Sequence, residues 1–174
     1  LTTWVDVNNK LEDEQNGFRK KRSTIDHVSS LCNIIETRKK HRLATFASFI
    51  DFRKAYDFIN RDKLWKRLLD SGISGKMINA VKSLYTSVSS SVRINNFQTD
   101  WFDVKIGLRQ GCILSPLLFN MYINNLVVYL KSLNIGIDID GEKVCILLYA
   151  DDIVLLAENS HDLQVLLNAL QDWC

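Results

Sequence analysis

Apolar residues recur every three or four positions along several stretches of the chain, and this spacing predicts amphipathic helices. The predicted helices are centred on Ile25–Ile35, Leu64–Leu69, Met77–Tyr85 and Leu163–Leu170. A further helix is predicted after Ser115 and Pro116, because serine at the N-cap and proline at the first helical position are typical of a helix start. Since this segment is apolar almost all round from Leu117 to Leu130, we expect it to be buried.

Shorter apolar runs with the composition of strands lie between these helices. The predicted strands are Leu43–Asp51, Ser89–Ile94, Phe97–Ile106, Ile135–Ile139, Val144–Tyr149 and Ile153–Ala157. Turn signals at Asn95-Asn96 and Asp140-Gly141 join neighbouring runs into hairpins. The mixture of helices and hairpins predicts an α+β (mixed α/β) fold with antiparallel strands. Residues 1–14 show no clear period and receive no assignment.

The composition is that of an ordinary globular domain, with 174 residues, 47% hydrophobic and 24% charged. No apolar segment reaches the roughly twenty residues that cross a bilayer, so no contact with a membrane is expected. The four cysteines are isolated from one another and from the histidines, which predicts reduced thiols and no zinc site. The chain begins without methionine and ends directly after an amphipathic run, and we expect it to be part of a longer protein.

Two adjacent carboxylates, Asp151 and Asp152, stand between two apolar runs and indicate the tip of a hairpin. Neighbouring carboxylates repel each other unless a cation or water separates them. A third carboxylate, Asp51, closes another predicted strand. If these strands are neighbours in one sheet, the side chains converge and can hold two divalent cations about 3.5–4 Å apart, as in enzymes of in-line phosphoryl transfer. Magnesium is the expected metal because it prefers oxygen ligands. The alternative interpretation of Asp151 and Asp152 is a solvated turn that binds no metal.

Two loops carry side chains suited to a ligand that bears phosphates. The first runs from Gln15 to Thr24 and contains four consecutive cations, Arg19, Lys20, Lys21 and Arg22. Backbone amides and cations in such a loop can hold phosphates, although a solvated basic loop is the alternative. The second loop, Gly107–Cys112, holds Arg109 and Gln110 between glycines, which allow a close approach to a ligand. Its alternative is a plain connection between a strand and a helix.

Four stretches of the chain together carry a specific pattern. In chain order they are Gln15–Thr24, Phe49–Asp57, Gly107–Asn120 and Tyr149–Asp152. They resemble the successive motifs of reverse transcriptases, in the family's order, and most closely those of non-LTR (LINE-type) retrotransposons. The resemblance implies a polymerase palm at residues 43–174, incomplete at its C-terminal end, preceded by part of the fingers at residues 1–42. Such a palm would have an antiparallel sheet of ferredoxin-like βαββαβ type, with helices on one face and the carboxylates on the open face.

The resemblance implies a metal centre at the acidic positions. The catalytic metal carboxylates would be Asp51, Asp151 and Asp152. They would hold two Mg²⁺ ions, or Mn²⁺, with the backbone carbonyl of Phe52 as a further ligand. Asp51 and Asp151 would be direct ligands, and the third carboxylate a helper. Lys54 and Asp57 also match the motif, and structural ion pairing is expected for them.

The same resemblance implies contacts with nucleotide and nucleic acid. Tyr56 would be a steric gate whose ring excludes the 2′-hydroxyl of a ribonucleotide. Gln110 and Gly111 would line the incoming nucleotide, with Arg19 near its triphosphate. The residues matched to nucleic acid are Arg19, Lys20, Lys21, Arg22, Arg109 and Tyr149.

The implied activity is that of an RNA-directed DNA polymerase, which adds deoxynucleotides from deoxynucleoside triphosphates to a DNA primer on an RNA template. Family members also carry further fingers, a thumb and an endonuclease as parts of one polyprotein, so this stretch alone is expected to have little or no processive activity. A nuclear site of action is implied by LINE-type relatives, which use a nicked chromosomal end as primer. A cytoplasmic location stays open, because these residues contain no targeting signal.

Other functions fit parts of the pattern. A catalytically dead or domesticated remnant would keep the fold and bind nucleic acid, although three retained carboxylates argue against it. A group II intron maturase has a similar palm. A nucleotidyl cyclase or an RNA-templated RNA polymerase is more distant, and Tyr56 argues against RNA synthesis.

Overall fold

A computed structural model describes all 174 residues of the chain. Its helices are α1 (Thr2–Val7), α2 (Thr24–Lys40), α3 (Arg61–Asp70), α4 (Gly75–Ser83), α5 (Ser115–Ser132) and α6 (Ser160–Trp173). Its strands are β1 (Phe46–Asp51), β2 (Ser89–Ser90), β3 (Arg93–Ile94), β4 (Phe97–Gln98), β5 (Phe102–Asp103), β6 (Ile137–Ile139), β7 (Glu142–Val144), β8 (Ile146–Tyr149) and β9 (Asp152–Ala157). The predicted mixture of helices and small antiparallel sheets is confirmed. None of the helices combines the length and hydropathy that a bilayer span requires.

The central sheet has three antiparallel strands in the order β1-β9-β8. β1 pairs with β9 along its whole length, from Phe46 opposite Ala157 to Asp51 opposite Asp152. β8 and β9 form the predicted hairpin, with Tyr149 opposite Asp152. Because β9 lies between two partner strands and under helices, it is buried for most of its length, which explains its continuous apolar sequence.

Helices cover both faces of this sheet to different extents. On one face, Leu118 of α5 and Ile153 of β9 belong to the larger core, which also includes residues of α3 and α6. On the opposite face, Ile34 of α2 packs with Leu147 and Leu156 in a smaller core. The prediction that helices cover only one face was therefore wrong, since α2 covers part of the second face. The C-terminal end of β1 stays exposed.

Helix α2, Thr24–Lys40, includes the helix predicted at Ile25–Ile35 and begins with a side-chain cap. The Asp26 carboxylate accepts a hydrogen bond of 2.6 Å from the backbone amide of Ser23, which caps the first turn. Its predicted apolar face is only partly buried, because Ile34 is 8% exposed whereas Ile25 is 71% and Val28 60% exposed. α2 therefore meets the sheet through a narrow stripe near its middle.

The N-terminal segment, which the sequence left unassigned, belongs to the same packed unit. Val5 of α1 is buried in the larger core. The segment that follows pairs in parallel with the free edge of β8. There the amide of Leu148 donates to the carbonyl of Glu14 at 2.8 Å, and the amide of Asn16 donates to the carbonyl of Leu148 at 2.9 Å. This pairing places the first loop beside the catalytic hairpin predicted from the sequence.

Residues 89–103 form an arm of two short ladders, β2 with β5 and β3 with β4, where longer strands were predicted. The strands stay short because the arm has little core of its own, and Phe97 and Trp101 are 71% and 69% exposed. Arg61 fixes the base of the arm, since its guanidinium donates to the carbonyls of Val104 and Gly107 at 2.9 and 2.8 Å.

Candidate functional site

The register of the central sheet places two of the predicted carboxylates side by side. Asp51, at the end of β1, is directly opposite Asp152, at the start of β9, and Tyr149 of β8 is opposite Asp152 in turn. Directly opposed residues of antiparallel strands project from the same face, so the three side chains form a row across the sheet. Both carboxylates are exposed. The predicted adjacency of the strand end at 51 and the hairpin tip is confirmed.

Asp151 occupies the turn between β8 and β9, next to this row. The turn contains no glycine, and Ala150 adopts the left-handed conformation instead, with a φ of 59°. An alanine in this region carries a steric cost, because its Cβ crowds the following peptide. Asp151 lines a cleft below the turn, whereas Asp51 and Asp152 lie outside the lining of this cleft.

The three carboxylates have no cationic partner within the protein. Asp51, Asp151 and Asp152 form no salt bridge and accept no side-chain hydrogen bond. No group of three or more His, Cys, Asp or Glu side chains is close enough to hold a metal ion in this arrangement. The donor chemistry nevertheless fits a hard divalent cation, because carboxylate oxygens are the ligands that Mg²⁺ prefers and no cation of the protein occupies these three.

The cleft has a volume of about 530 Å³ and joins residues from three of the four predicted motifs. It is lined by Lys54, Ala55, Tyr56, Gln110, Gly111, Cys112, Ser115, Pro116 and Asp151. The structure thus brings Tyr56, Gln110, Gly111 and Asp151 to one place, although they are spread over almost a hundred residues of sequence.

Tyr56 is fixed at the floor of the cleft by aromatic packing. Its ring stacks on Phe119 of α5 with centroids 4.9 Å apart and an interplanar angle of 6°, and the ring of Phe18 meets it edge-on at 6.5 Å. Its hydroxyl is buried without a hydrogen-bond partner. Burial, and then the negative charge of Asp151, raise the pKa of Tyr56 to about 12. The residue therefore offers the cleft a rigid, neutral ring.

The loop with Gln110 lies directly on the turn that follows β1. The amide of Leu108 donates to the carbonyl of Tyr56 at 2.8 Å, and the Gln110 side chain donates to the Asp57 carboxylate at 3.0 Å. Gly107 permits this contact, because a Cβ there would come within 2.6 Å of the Asp57 carbonyl oxygen. The expected ion pairing of Lys54 and Asp57 was wrong. Neither residue forms a salt bridge, and Asp57 instead binds an amide from the opposite loop.

The structure does not bring the basic loop to the cleft. Arg19 donates to the carbonyls of Glu12 and Gln15 at 2.7 and 3.1 Å, and Arg22 pairs with Asp13. These two arginines therefore support the loop itself, because local carbonyls and a local carboxylate take up their donors. Lys20 and Lys21 are exposed without salt-bridge partners, and nucleic-acid contact at these four positions stays a prediction.

Two further predicted residues have structural contacts. Arg109 donates to the carbonyl of Leu84 at the end of α4, at 3.1 Å, which anchors the second loop from outside the cleft. The partly buried side chain of Phe52 packs against the larger core. This packing fixes the residue after Asp51, and the proposed role of its backbone carbonyl stays a prediction.

The sequence assigned no role to several buried or partly buried polar side chains near the β8–β9 hairpin. Gln15 is 0% exposed and hydrogen-bonds the backbone of Ala150, and Asn120 of α5 donates to the carbonyl of Gly17 at 2.7 Å. His27 of α2 donates from Nε2 to the carbonyl of Leu148 at 2.8 Å. Of these three side chains, only Asn120 could have been recognised from the sequence as a buried polar residue, because it lies within the apolar stretch of α5.

Comparison with known proteins identifies the family. The family profile described as Reverse transcriptase (RNA-dependent DNA polymerase) matches residues 2–174. The Retrovirus-related Pol polyprotein from type-1 retrotransposable element R2 of Popillia japonica is 29% identical over 152 residues, which cover 86% of this chain and 21% of that protein. The Probable RNA-directed DNA polymerase from transposon BS of Drosophila melanogaster is 30% identical over 173 residues, which cover 94% of this chain and 18% of that protein.

A solved structure shares the fold at lower identity. Telomerase from Candida albicans, in complex with the TWJ fragment of telomeric RNA, superposes with a TM-score of 0.72 and 13% identity over 98% of this chain and 30% of that chain. The match of the family profile to almost the whole chain places this domain in the polymerase class. The chain belongs to the reverse transcriptase (RNA-dependent DNA polymerase) family, and its similarity to proteins of retrotransposons confirms the resemblance seen in the sequence. It spans about a fifth of the length of the curated relatives it matches.

Proposed function

We propose that this chain is the core of an RNA-directed DNA polymerase that extends a DNA primer on an RNA template. The observation that carries the proposal is the register that sets Asp51 opposite Asp152, with Asp151 in the adjoining turn facing a cleft shared with Tyr56 and Gln110. Carboxylates at a sheet end beside a cleft of this size suit the transfer of a nucleotide from its triphosphate. Family membership supports the same chemistry.

The acidic residues would hold the metal ions that this chemistry needs. Asp51 and Asp151 would be direct ligands, with Asp152 and the carbonyl of Phe52 assisting, and Mg²⁺ or Mn²⁺ fits their oxygen donors. When bound, two such ions activate the attacking hydroxyl and neutralise the leaving pyrophosphate. The protein itself contributes a fixed backbone for these ligands through the pairing of β1, β9 and β8.

The cleft would orient the incoming deoxynucleotide. Gln110, Gly111 and Tyr56 all line the cleft, so a sugar bound among them would rest against the Tyr56 ring. A rigid ring held by Phe119 cannot retreat from an added hydroxyl. We therefore infer that Tyr56 excludes ribonucleotides by steric contact.

Replacing Tyr56 by alanine tests this role. Tyr56→Ala is expected to reduce the preference for deoxynucleotides over ribonucleotides by about 10–200-fold, the range that one steric group in a binding pocket supplies. Tyr56→Phe should keep the preference, because it keeps the ring and removes only an unpartnered hydroxyl. The ratio of kcat/KM values for matched dNTP and rNTP pairs measures the effect. An unchanged ratio in Tyr56→Ala would show that the sugar of the incoming nucleotide does not rest against Tyr56, and the proposed steric role would be wrong.

We propose a finer architecture for the same fold. With the inserted elements α3, α4 and β2–β7 left aside, β1, α5, β8, β9 and α6 have the chain order βαββα. The strand order β1-β9-β8 matches three strands of a ferredoxin-like unit. A fourth strand of such a unit would pair with the free edge of β1. Residues 43–174 would then be palm and residues 1–42 part of the fingers.

The proposed partners follow from the proposed reaction. They are an RNA template, a DNA primer and deoxynucleoside triphosphates, together with the thumb and endonuclease of a longer polyprotein. The solved telomerase relative is described in complex with an RNA fragment, which supports an RNA partner. A nuclear site of action is proposed on the resemblance to LINE-type elements.

Primer extension on an RNA template tests the function directly. The complete polymerase that contains this chain should incorporate dNTPs opposite the RNA, only with a divalent cation, whereas the 174-residue chain alone should add few or no nucleotides. The control template is DNA of the same sequence. A protein that binds the primer–template but never extends it would instead be a nucleic-acid-binding remnant.

A further inference from the structure

We propose that Gln15 is a positioning residue for Asp151: its side-chain amide fixes the conformation of the hairpin turn and thereby sets where the Asp151 carboxylate lies. This inference rests on the proposed function. It concerns a residue in the first loop, over a hundred positions from the turn that it would control.

The Gln15 amide binds both backbone groups of one residue. Its Nε2 donates to the carbonyl of Ala150 at 3.2 Å, and its Oε1 accepts from the amide of Ala150 at 2.9 Å. The same Oε1 accepts from the amide of Gly17 at 2.7 Å. Because Gln15 is 0% exposed, these bonds are shielded from water. The side chain thus acts as one more strand residue and extends the edge of β8 beyond its last backbone pair.

The residue held in this way is the strained one. Ala150 has a φ of 59°, a conformation that alanine rarely adopts without support from its surroundings. Two hydrogen bonds to the same residue offset that strain and remove the alternative conformations of the turn. Asp151 follows directly, and its carboxylate has no hydrogen bond or salt bridge to fix it independently. Its position therefore depends on the peptide that Gln15 holds.

The loop that carries Gln15 is itself anchored by two further hydrogen bonds, one to β8 and one to α5. The amide of Asn16 donates to the carbonyl of Leu148, and Asn120 of α5 donates to the carbonyl of Gly17 at 2.7 Å. Gln15 can therefore act as a fixed point rather than following the turn. This arrangement links the first loop, α5 and the catalytic hairpin into one unit.

The test uses Gln15→Met, which keeps the length of the side chain and removes its hydrogen bonds. The control is Gln164→Met, on the exposed face of α6, where the glutamine bonds only to Asn168. The first readout needs no activity: amide hydrogen exchange of Ala150, measured by NMR on the 174-residue chain, should accelerate about three- to tenfold, as for loss of one hydrogen bond. The amide of Leu156, bonded to the Cys145 carbonyl at 2.9 Å, should keep its protection.

The second readout is nucleotide addition by the complete polymerase. Gln15→Met should lower kcat by about 100-fold, the loss that a displacement of 1 Å in a catalytic group can cause, with the KM for the dNTP unchanged. A role in stability alone would lower only the thermal midpoint and leave Ala150 exchange and kcat as in Gln164→Met, and that result would overturn the inference.

Two further variants separate the possible failures. Should Gln15→Met not fold, Gln15→Asn keeps an uncharged amide but is one methylene too short to reach both backbone groups of Ala150, and it should show a smaller change in the same direction. Full activity in Gln15→Asn with unchanged Ala150 exchange would also overturn the inference. If Asp151→Asn is inactive while Gln15→Met is fully active, only this inference fails. If Asp151→Asn is fully active, the proposed function itself fails.

Discussion

Replacing Asp151 by asparagine is expected to lower the rate of RNA-templated primer extension by about 10²–10³-fold or more, the loss found when one electrostatic stabiliser of a transition state is removed. Asparagine keeps the shape of the side chain and removes the negative charge that would hold a divalent cation. The fold should be unaffected, because the Asp151 carboxylate makes no internal hydrogen bond or salt bridge. Single-turnover extension at saturating dNTP measures the change.

The other acidic residues provide an ordered comparison. Asp51→Asn should cause a similar loss, since Asp51 is proposed as the second direct ligand, and Asp152→Asn a smaller one. The matched control is Asp140→Asn in the turn of the neighbouring β6–β7 hairpin, where the residue is exposed and has a φ of 53°. Asparagine tolerates this backbone conformation, so Asp140→Asn should retain full activity. Equal extension by Asp151→Asn and Asp140→Asn would remove the metal assignment.

The sequence was sufficient to place the carboxylates at the end of a sheet. Alternating and continuous apolar runs located β1, β8 and β9, and Asp51, Asp151 and Asp152 stand where these runs stop. Burial fixes the strand register, because a shift of one residue would move every core side chain to the opposite face. The pairing of Asp51 with Asp152 follows from the same constraint as the core.

The sequence was less informative where a role depends on distant contacts. The period of α2 predicted a broad buried face, but periodicity cannot show how much of that face meets a partner, and Val28 is exposed. The four cations of the first loop suggested phosphate binding, whereas Arg19 and Arg22 are held by local carbonyls and a carboxylate. Gln15 opens the first matched motif, but no local pattern shows that it is buried or what it binds, since its partner lies 135 positions away.

The burial of Gln15 depends on a contact that its own loop sequence does not show. A glutamine in a polar loop is expected to be exposed. Gln15 becomes buried only because the β8–β9 hairpin packs against its loop. The loop that carries Gln15 also contains Gly17, the glycine that allows this loop to lie close to the hairpin turn. Gly17 lies so close to the Ala150 backbone that a Cβ would overlap the Ala150 amide nitrogen. This close approach lets the Gln15 side chain reach both backbone groups of the turn.

Gly17→Ala is therefore expected to lower the free energy of unfolding by about 3 kcal/mol, at the upper end of the usual cost of overpacking, because the atoms in the way are backbone. The matched control is Gly75→Ala at the start of α4, where a Cβ would meet nothing within 4 Å. That control should be neutral or stabilise the protein by about 0.4–1 kcal/mol, because alanine restricts the unfolded chain. Urea unfolding of the 174-residue chain, followed by tryptophan fluorescence, measures both variants. Equal stability of the two would mean that the first loop does not rest on the β8–β9 turn, and Gln15 could not then hold Asp151 in place.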